Sequence, residues 1–217
     1  DFEHYINRKY VKGLDKRPIS VYIIPTTRDR LLPQLVAGGG DIAAGNLTAI
    51  EERLKIVDFV APRDGKPVRE VVVTGPTAPH IATVQDLSGK TVHVNPVSSY
   101  YQSVVKLNDK LTAAGKAPVK ITSVPHELED EDKLEMLNAG MFDYLVVDEW
   151  KAKIWAQVLP KVKVREDLVL RDDAYTGWAI RKNSPQLTAA LEDFYNNFVK
   201  KHGVVESRIA QFNKRIQ

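Results

Sequence analysis

Residues 30–59 read Arg30-Leu31-Leu32-Pro33-Gln34-Leu35-Val36-Ala37-Gly38-Gly39-Gly40-Asp41-Ile42-Ala43-Ala44-Gly45-Asn46-Leu47-Thr48-Ala49-Ile50-Glu51-Glu52-Arg53-Leu54-Lys55-Ile56-Val57-Asp58-Phe59. Leu31, Leu32, Leu35 and Val36 suit a short helix that must start near Asp29, because Pro33 is tolerated only in a first turn. The run Gly38-Gly39-Gly40 ends that helix; it lacks the Lys-Ser/Thr ending of a phosphate loop. Ile42-Ala43-Ala44 reads as a short buried strand. Thr48-Ala49-Ile50-Glu51 is a capping-box pattern that predicts a second short helix to about Lys55, and Ile56-Val57-Asp58-Phe59 leads away from it.

The same alternation continues in both directions. Phe2, Tyr5, Ile6 and Tyr10 fall at helical spacing, Gly13 lies where it would close that helix, and Val21-Tyr22-Ile23-Ile24 reads as a strand. Val68 to Thr74 is β-branched, and Gly75-Pro76-Thr77-Ala78-Pro79 after it is the strongest break in the chain, which predicts a lobe boundary. Lys90–Val94, Val119–Val124 and Tyr144–Val147 read as strands, separated by a helix that opens with the capping box Ser99-Tyr100-Tyr101-Gln102 and by a helix over residues 132–139. Thr176–Ile180 reads as the returning strand, and Ser184-Pro185 opens the first of two closing helices. The expectation is an α/β protein of two lobes, each a mostly parallel sheet flanked by helices. Residues 1–75 and 176–217 form lobe 1 and residues 76–175 form lobe 2, with crossings near Val73–Ala78 and Asp173–Gly177.

Composition excludes several functions. The 217 residues hold no cysteine, which removes thiol nucleophiles, Zn-thiolate sites and Fe–S clusters, and the five histidines lack ligand-like spacing, so neither a metal nor a cofactor is expected. The net charge of +3 is dispersed, with Lys200, Lys201 and Arg208 on apolar-striped helices, which gives nucleic-acid binding little support. No apolar stretch approaches the ~20 residues that span a bilayer, and Asp1-Phe2-Glu3-His4 is unlike a signal peptide. No G-x-S-x-G elbow is present, and Glu206-Ser207, the dipeptide of lytic transglycosylases, lies so near the last residue that it reads as helix surface. The chain itself is therefore not expected to be an enzyme. The acidic run Glu127, Glu129, Asp130, Glu131 and Asp132 reads as a solvated cap at a helix start.

The ordered pattern over residues 30–59, namely helix, Gly-x-x-Asp, short strand, small-residue turn with Thr48, Glu52-Arg53 and Asp58-Phe59, resembles the bacterial extracellular solute-binding proteins of family 3. The resemblance continues at Gly89-Lys90-Thr91-Val92, at Leu137-x-x-Gly140-x-x-Asp143 before Val147-Asp148, and at Gly177 to Lys182. Within that family the Asn46-Leu47-Thr48 turn, the spacing around Arg28-Asp29 and the Pro-rich crossing look most like the module fused to membrane-bound lytic murein transglycosylases of the F type. The resemblance implies a two-lobed type 2 periplasmic-binding fold that closes on a small polar ligand, an amino acid or a muropeptide, in the periplasm. Its implied partner is a fused transglycosylase domain or, for a free-standing binder, an ABC permease. Two departures stand out: Val97-Ser98-Ser99 replaces the usual Gly-Thr-Thr, and the first strand and loop of lobe 1, which supply pocket walls, are missing from the pattern.

A zwitterion held between lobes needs separate partners for its two ends. Arg53, Thr48 and the Asn46-Leu47 turn would take the carboxylate, since a guanidinium fork, a hydroxyl and main-chain N–H groups converge there. Asp148, at the carboxyl end of a strand, would take the ammonium, and Ser98 and Ser99 would add donors from lobe 2. The bland alternative is that Thr48 and Ser99 only cap helices and that Arg53 pairs with Glu52 or Asp58. Tyr100, Tyr101, Trp150, Trp155, Tyr175 and Trp178 are either pocket walls or core.

Overall fold

The computed structural model describes residues 1–10, 12–13, 17–60 and 67–216. The first elements are α1 (Phe2–Tyr10), α2 (Arg28–Val36), β1 (Ile42–Thr48), the single-turn α3 (Glu51–Leu54) and β2 (Val57–Val60). Then come β3 (Val68–Thr74), β4 (Thr91–Val94), α4 (Ser99–Ala113), β5 (Lys120–Ser123), α5 (Asp130–Asn138), β6 (Tyr144–Asp148), α6 (Glu149–Trp155) and β7 (Lys163–Ala174). β8 (Thr176–Arg181), α7 (Pro185–Phe194) and α8 (Val204–Ile216) complete the order. Among the described residues the strands form two sheets, ordered β1-β8-β2 and β5-β4-β6-β3-β7.

Each sheet organises one lobe. In the larger, β6 is buried at every position and Val71, Val72 and Val73 of β3 are fully buried, as strands covered on both faces must be. α4 lays Tyr100, Val104, Leu107 and Leu111, one helical stripe, onto the same core. Gly115, at φ +69°, closes that helix in the left-handed conformation that glycine adopts without steric cost. The smaller lobe is centred on Leu35, Ala43, Leu47, Val57 and Ala179.

The sheets are mixed rather than mostly parallel. β4 runs parallel to β5 and β6, whose connections carry the helices α4 and α5, whereas β3 is antiparallel to β6 and β7. β1 and β2 are both antiparallel to β8. Parallel pairing needs a covering crossover, and β3, β7 and β8 lie where the chain changes sheets. The lobe boundary expected after residue 75 is corrected on the same ground. Residues 68–74 pair within the larger sheet, so the first change of lobe lies between β2 and β3, and the break at Gly75-Pro76 is a turn inside the larger lobe. Gly and Pro report a change of chain direction, which is not the same thing as a change of lobe. The second change of sheet falls at Tyr175, between β7 and β8.

The strand expected at Val21–Ile24 does not form. Asn7 of α1 clasps the main chain of Ile19 through both its amide atoms, each at 2.7 Å, and Glu3 accepts from the Val21 N–H at 2.7 Å. Helix side chains thus occupy the polar groups that a neighbouring strand would take, and Ile23 is left 91% exposed. A β-branched run without a partner strand has no ladder to join.

Gly75 shows how tightly the larger lobe closes. A Cβ there would lie 2.6 Å from the Phe142 carbonyl oxygen and 3.0 Å from that of Leu137, and the Gly75 N–H donates to Asp143 at 2.9 Å. Gly75→Ala should destabilise the protein by about 2–3 kcal/mol, read as a lower midpoint at unchanged slope in denaturant unfolding.

Candidate functional site

The two lobes meet at the ends of β1 and β6. β1 carries a register shift between Ala43 and Leu47, and inside it Asn46 sits at φ +50°, a conformation that asparagine tolerates better than most residues. The irregularity lifts the Asn46 amide across the cleft, where it donates to Asp148 Oδ2 at 3.0 Å. Asp148 ends the fully buried β6 and is itself 1% exposed. Arg53 makes the second bridge: it donates to the Thr48 carbonyl of its own lobe at 2.9 Å and to the Val97 carbonyl of the other at 2.8 Å. Ser99 Oγ donates to Thr48 Oγ1 at 3.4 Å, and Arg28 reaches Glu129 at 3.0 Å.

Asn46, Thr48, Arg53, Ser98 and Ser99 line one cavity between the lobes, together with Arg28, Asn95, Tyr100, Leu128, Glu129, Asp130, Lys133 and Lys151. Its volume is about 20 Å³, room for a water or two, so an amino acid enters only if the lobes part. Leu47 is placed elsewhere. It points into the smaller lobe's core at 2% exposure, because successive strand residues face opposite sides. Asp148 stands just behind Asn46.

Local structure at these positions differs in part from the sequence reading. Thr48 ends β1 and is buried, while Ile50 precedes α3, so no capping box forms at residues 48–51. At α4 the cap is Ser98, which accepts from the Tyr101 N–H at 3.2 Å, and Ser99 is the first helical residue. Arg53 pairs with neither Glu52 nor Asp58; Asp58 is held by Lys182 at 2.7 Å. Of the aromatic residues, Tyr100 lines the cavity, Trp178 stacks with Phe194, Trp155 packs against the larger core and Trp150 is exposed.

The acidic run is where sequence reading missed most. Glu129 and Asp132 do form a reciprocal cap at the start of α5. Asp130, between them, is buried: it accepts from Lys133 at 2.8 Å, from Lys151 and from the Tyr100 hydroxyl at 3.1 Å. Burial alone would raise the Asp130 carboxyl, but the two ammonium groups prevail and hold it well below the usual carboxylate range. The signal available in the sequence was Asp130-x-x-Lys133, one helical turn apart. Lys151 lies two elements away and carried none.

Asp148 is tuned the opposite way. Burial, helped by Glu70 of β3 and Asp130 of α5 and opposed by Lys151 of α6 and the Asn46 amide, leaves its carboxyl raised to about 6. The Tyr100 hydroxyl accepts from the Asp148 N–H at 3.3 Å, and Oδ1 of the carboxylate is buried without a partner among the described residues.

Two α/β lobes closing on such a cleft define the type 2 periplasmic-binding fold. An ancestral arginine-binding protein bound to arginine is 25% identical, with a TM-score of 0.70 over 95% of this chain and 84% of that one. An amino acid ABC transporter substrate-binding protein from Streptococcus pneumoniae, bound to L-arginine, shares the fold at 20% identity, TM-score 0.74, over 99% of this chain and 84% of its own. The model of the bacterial extracellular solute-binding proteins, family 3, matches residues 9–208, and the chain belongs to that family. Among curated proteins, the membrane-bound lytic murein transglycosylase F of Saccharophagus degradans is 26% identical over 183 residues, 84% of this chain and 34% of that protein. Its counterpart in Desulfosudis oleivorans is 25% identical over 81% of this chain and 36% of its own length. The chain thus spans about a third of the length of these curated relatives.

The carboxyl of Asp148 has a raised folded value, so the fold favours its protonated form. Its contribution to stability is greatest at low pH and falls as pH rises from about 4 to about 6, by on the order of 3 kcal/mol. Asp148→Asn should therefore raise the thermal midpoint at pH 7 by several degrees and flatten its pH dependence across that window, as measured by calorimetry without ligand.

Proposed function

We propose that this chain is a periplasmic solute-binding module without turnover of its own, which closes on an amino acid or a cell-wall peptide fragment as the sensing part of a lytic transglycosylase. The observation that carries this reading is the convergence of Arg53 and Thr48 from one lobe with Ser98, Ser99 and Asp148 from the other. Arg53, the Thr48 hydroxyl and the Ser99 hydroxyl are donors for a carboxylate. Asp148, mostly ionised at pH 7 and with one unpartnered oxygen, is the acceptor for an ammonium. The lobe-to-lobe bonds now made by Arg53 and Asn46 stand in for ligand contacts, and a zwitterion that parts the lobes takes them over.

The sensing role rests on the transglycosylase relatives, which align along most of this chain but only a third of their own length. Delivery of an amino acid to an ABC permease is the second reading. It is favoured by the solved neighbours, which include an amino acid ABC transporter protein bound to L-arginine. Among the described residues no helix is long and apolar enough to cross a membrane. No group of three His, Cys, Asp or Glu among them is placed to hold a metal ion.

Hydrogen bonds to charged groups contribute roughly 1.5–3 kcal/mol each, so Arg53→Ala should weaken the tightest amino acid or muropeptide at least ten- to a hundredfold by titration calorimetry, and Thr48→Val less. Unchanged affinity in a folded Arg53→Ala protein would remove the carboxylate role. Incubation of the chain with purified peptidoglycan should release no anhydro-muropeptides; their release would contradict a binding module.

A further inference from the structure

The cavity wall holds more positive charge than a neutral zwitterion can use. Arg28, Arg53, Lys133 and Lys151 face it against Glu129 and Asp130, and Glu129 is a half-exposed partner already given to Arg28. Arg53 is a buried cation whose two hydrogen bonds both go to uncharged carbonyls; Glu70 favours its charge from a distance, but no carboxylate of the described residues is hydrogen-bonded to it. Lys133 and Lys151, at 4% and 11% side-chain exposure, share the single carboxylate of Asp130. An ammonium has three N–H donors, and each of these lysines gives one to Asp130. The remaining donors and about one uncompensated charge are confined in a narrow, half-closed space, where charge is costly until an anion arrives. Asp148 adds one carboxylate behind Asn46, but a bound ammonium claims it; the neighbouring Glu70 is answered by Arg171 at 3.5 Å.

We propose that the cleft selects an acidic amino acid, with Arg53 and Asp148 holding its α-carboxylate and ammonium and the Lys133–Lys151 pair reading its side-chain carboxylate. This rests on the reading given above and deepens it. A net charge of −1 on the ligand matches the surplus on the wall, whereas glutamine leaves the surplus unmet and arginine adds to it. Asp130 is a positioning residue: it fixes both ammonium groups on the wall, and its own carboxylate is held ionised between them. The selectivity comes from charge and from one added pair of charge-assisted hydrogen bonds.

The test is calorimetric titration of the full chain with L-glutamate, L-aspartate, L-glutamine, L-asparagine and L-arginine. One of the two acidic ligands should bind at least tenfold more tightly than its amide. Lys151→Met should abolish that ratio, with the acidic ligand losing more affinity than its amide, and Lys151→Arg should keep most of it; thermal melting confirms that each variant is folded. Equal or tighter binding of an amide or of arginine, or an acid-to-amide ratio untouched by Lys151→Met in a folded protein, would overturn the inference while leaving the amino-acid-binding reading in place. Binding of none of the five would overturn the inference and the amino-acid reading together, leaving a cell-wall peptide fragment as the ligand of the module.

Discussion

A guanidinium kept from water must be answered by something, and that constraint shapes this cleft. Arg53 stands on a one-turn helix with its side chain drawn back between two main-chain carbonyls, one from each lobe. Burial lowers its pKa, as do the nearby Arg28 and Arg171 cations, against Glu70 and Tyr100. The carbonyls supply dipoles where a charge is called for. A ligand carboxylate is the better partner, and accepting it means releasing Val97 and separating the lobes. Binding therefore exchanges protein-to-protein bonds for bonds to the ligand, on which the parted lobes then close.

The same exchange operates at the other end of the cleft. Asn46 reaches Asp148 only because β1 is irregular there, and Asp148 tolerates burial only because Lys151 and the Asn46 amide oppose the repulsion of Glu70 and Asp130. Each is held in reserve by the other, and the cost falls on Asp148, whose second oxygen has no partner. A buried polar atom left unpaired in this way is a common mark of a site built for something that comes and goes.

Much of this was legible in the order of residues, and the failures have physical causes. Leu31 to Phe59 gave the smaller lobe's helix, strand and turn because local signals there agree: glycines end α2, and apolar spacing marks both strands. Arg53, Thr48, Ser98 and Ser99 reach one cavity because they sit where strands end and helices begin, a position readable from pattern alone. Leu47 lends the cleft no side chain, because the residue between two cleft-facing neighbours on a strand faces the core. Val21–Ile24 failed because strand propensity says nothing about whether a partner strand is beside it. Asp130 was hidden inside a run whose neighbours are true caps, and its second lysine comes from α6, a tertiary pairing that no local pattern encodes. The lobe boundary was misplaced because Gly75 and Pro76 turn the chain without moving it to the other sheet.

The central claim is that a ligand sits between Arg53 and Asp148 and takes over the bonds that now join the lobes. A crystal structure of the chain grown with its tightest-binding amino acid tests this most directly. The account predicts the ligand carboxylate on the Arg53 guanidinium and Thr48 hydroxyl and its ammonium on Asp148, with the Arg53–Val97 and Asn46–Asp148 bonds broken. A ligand bound elsewhere, with both of those bonds intact, would contradict it.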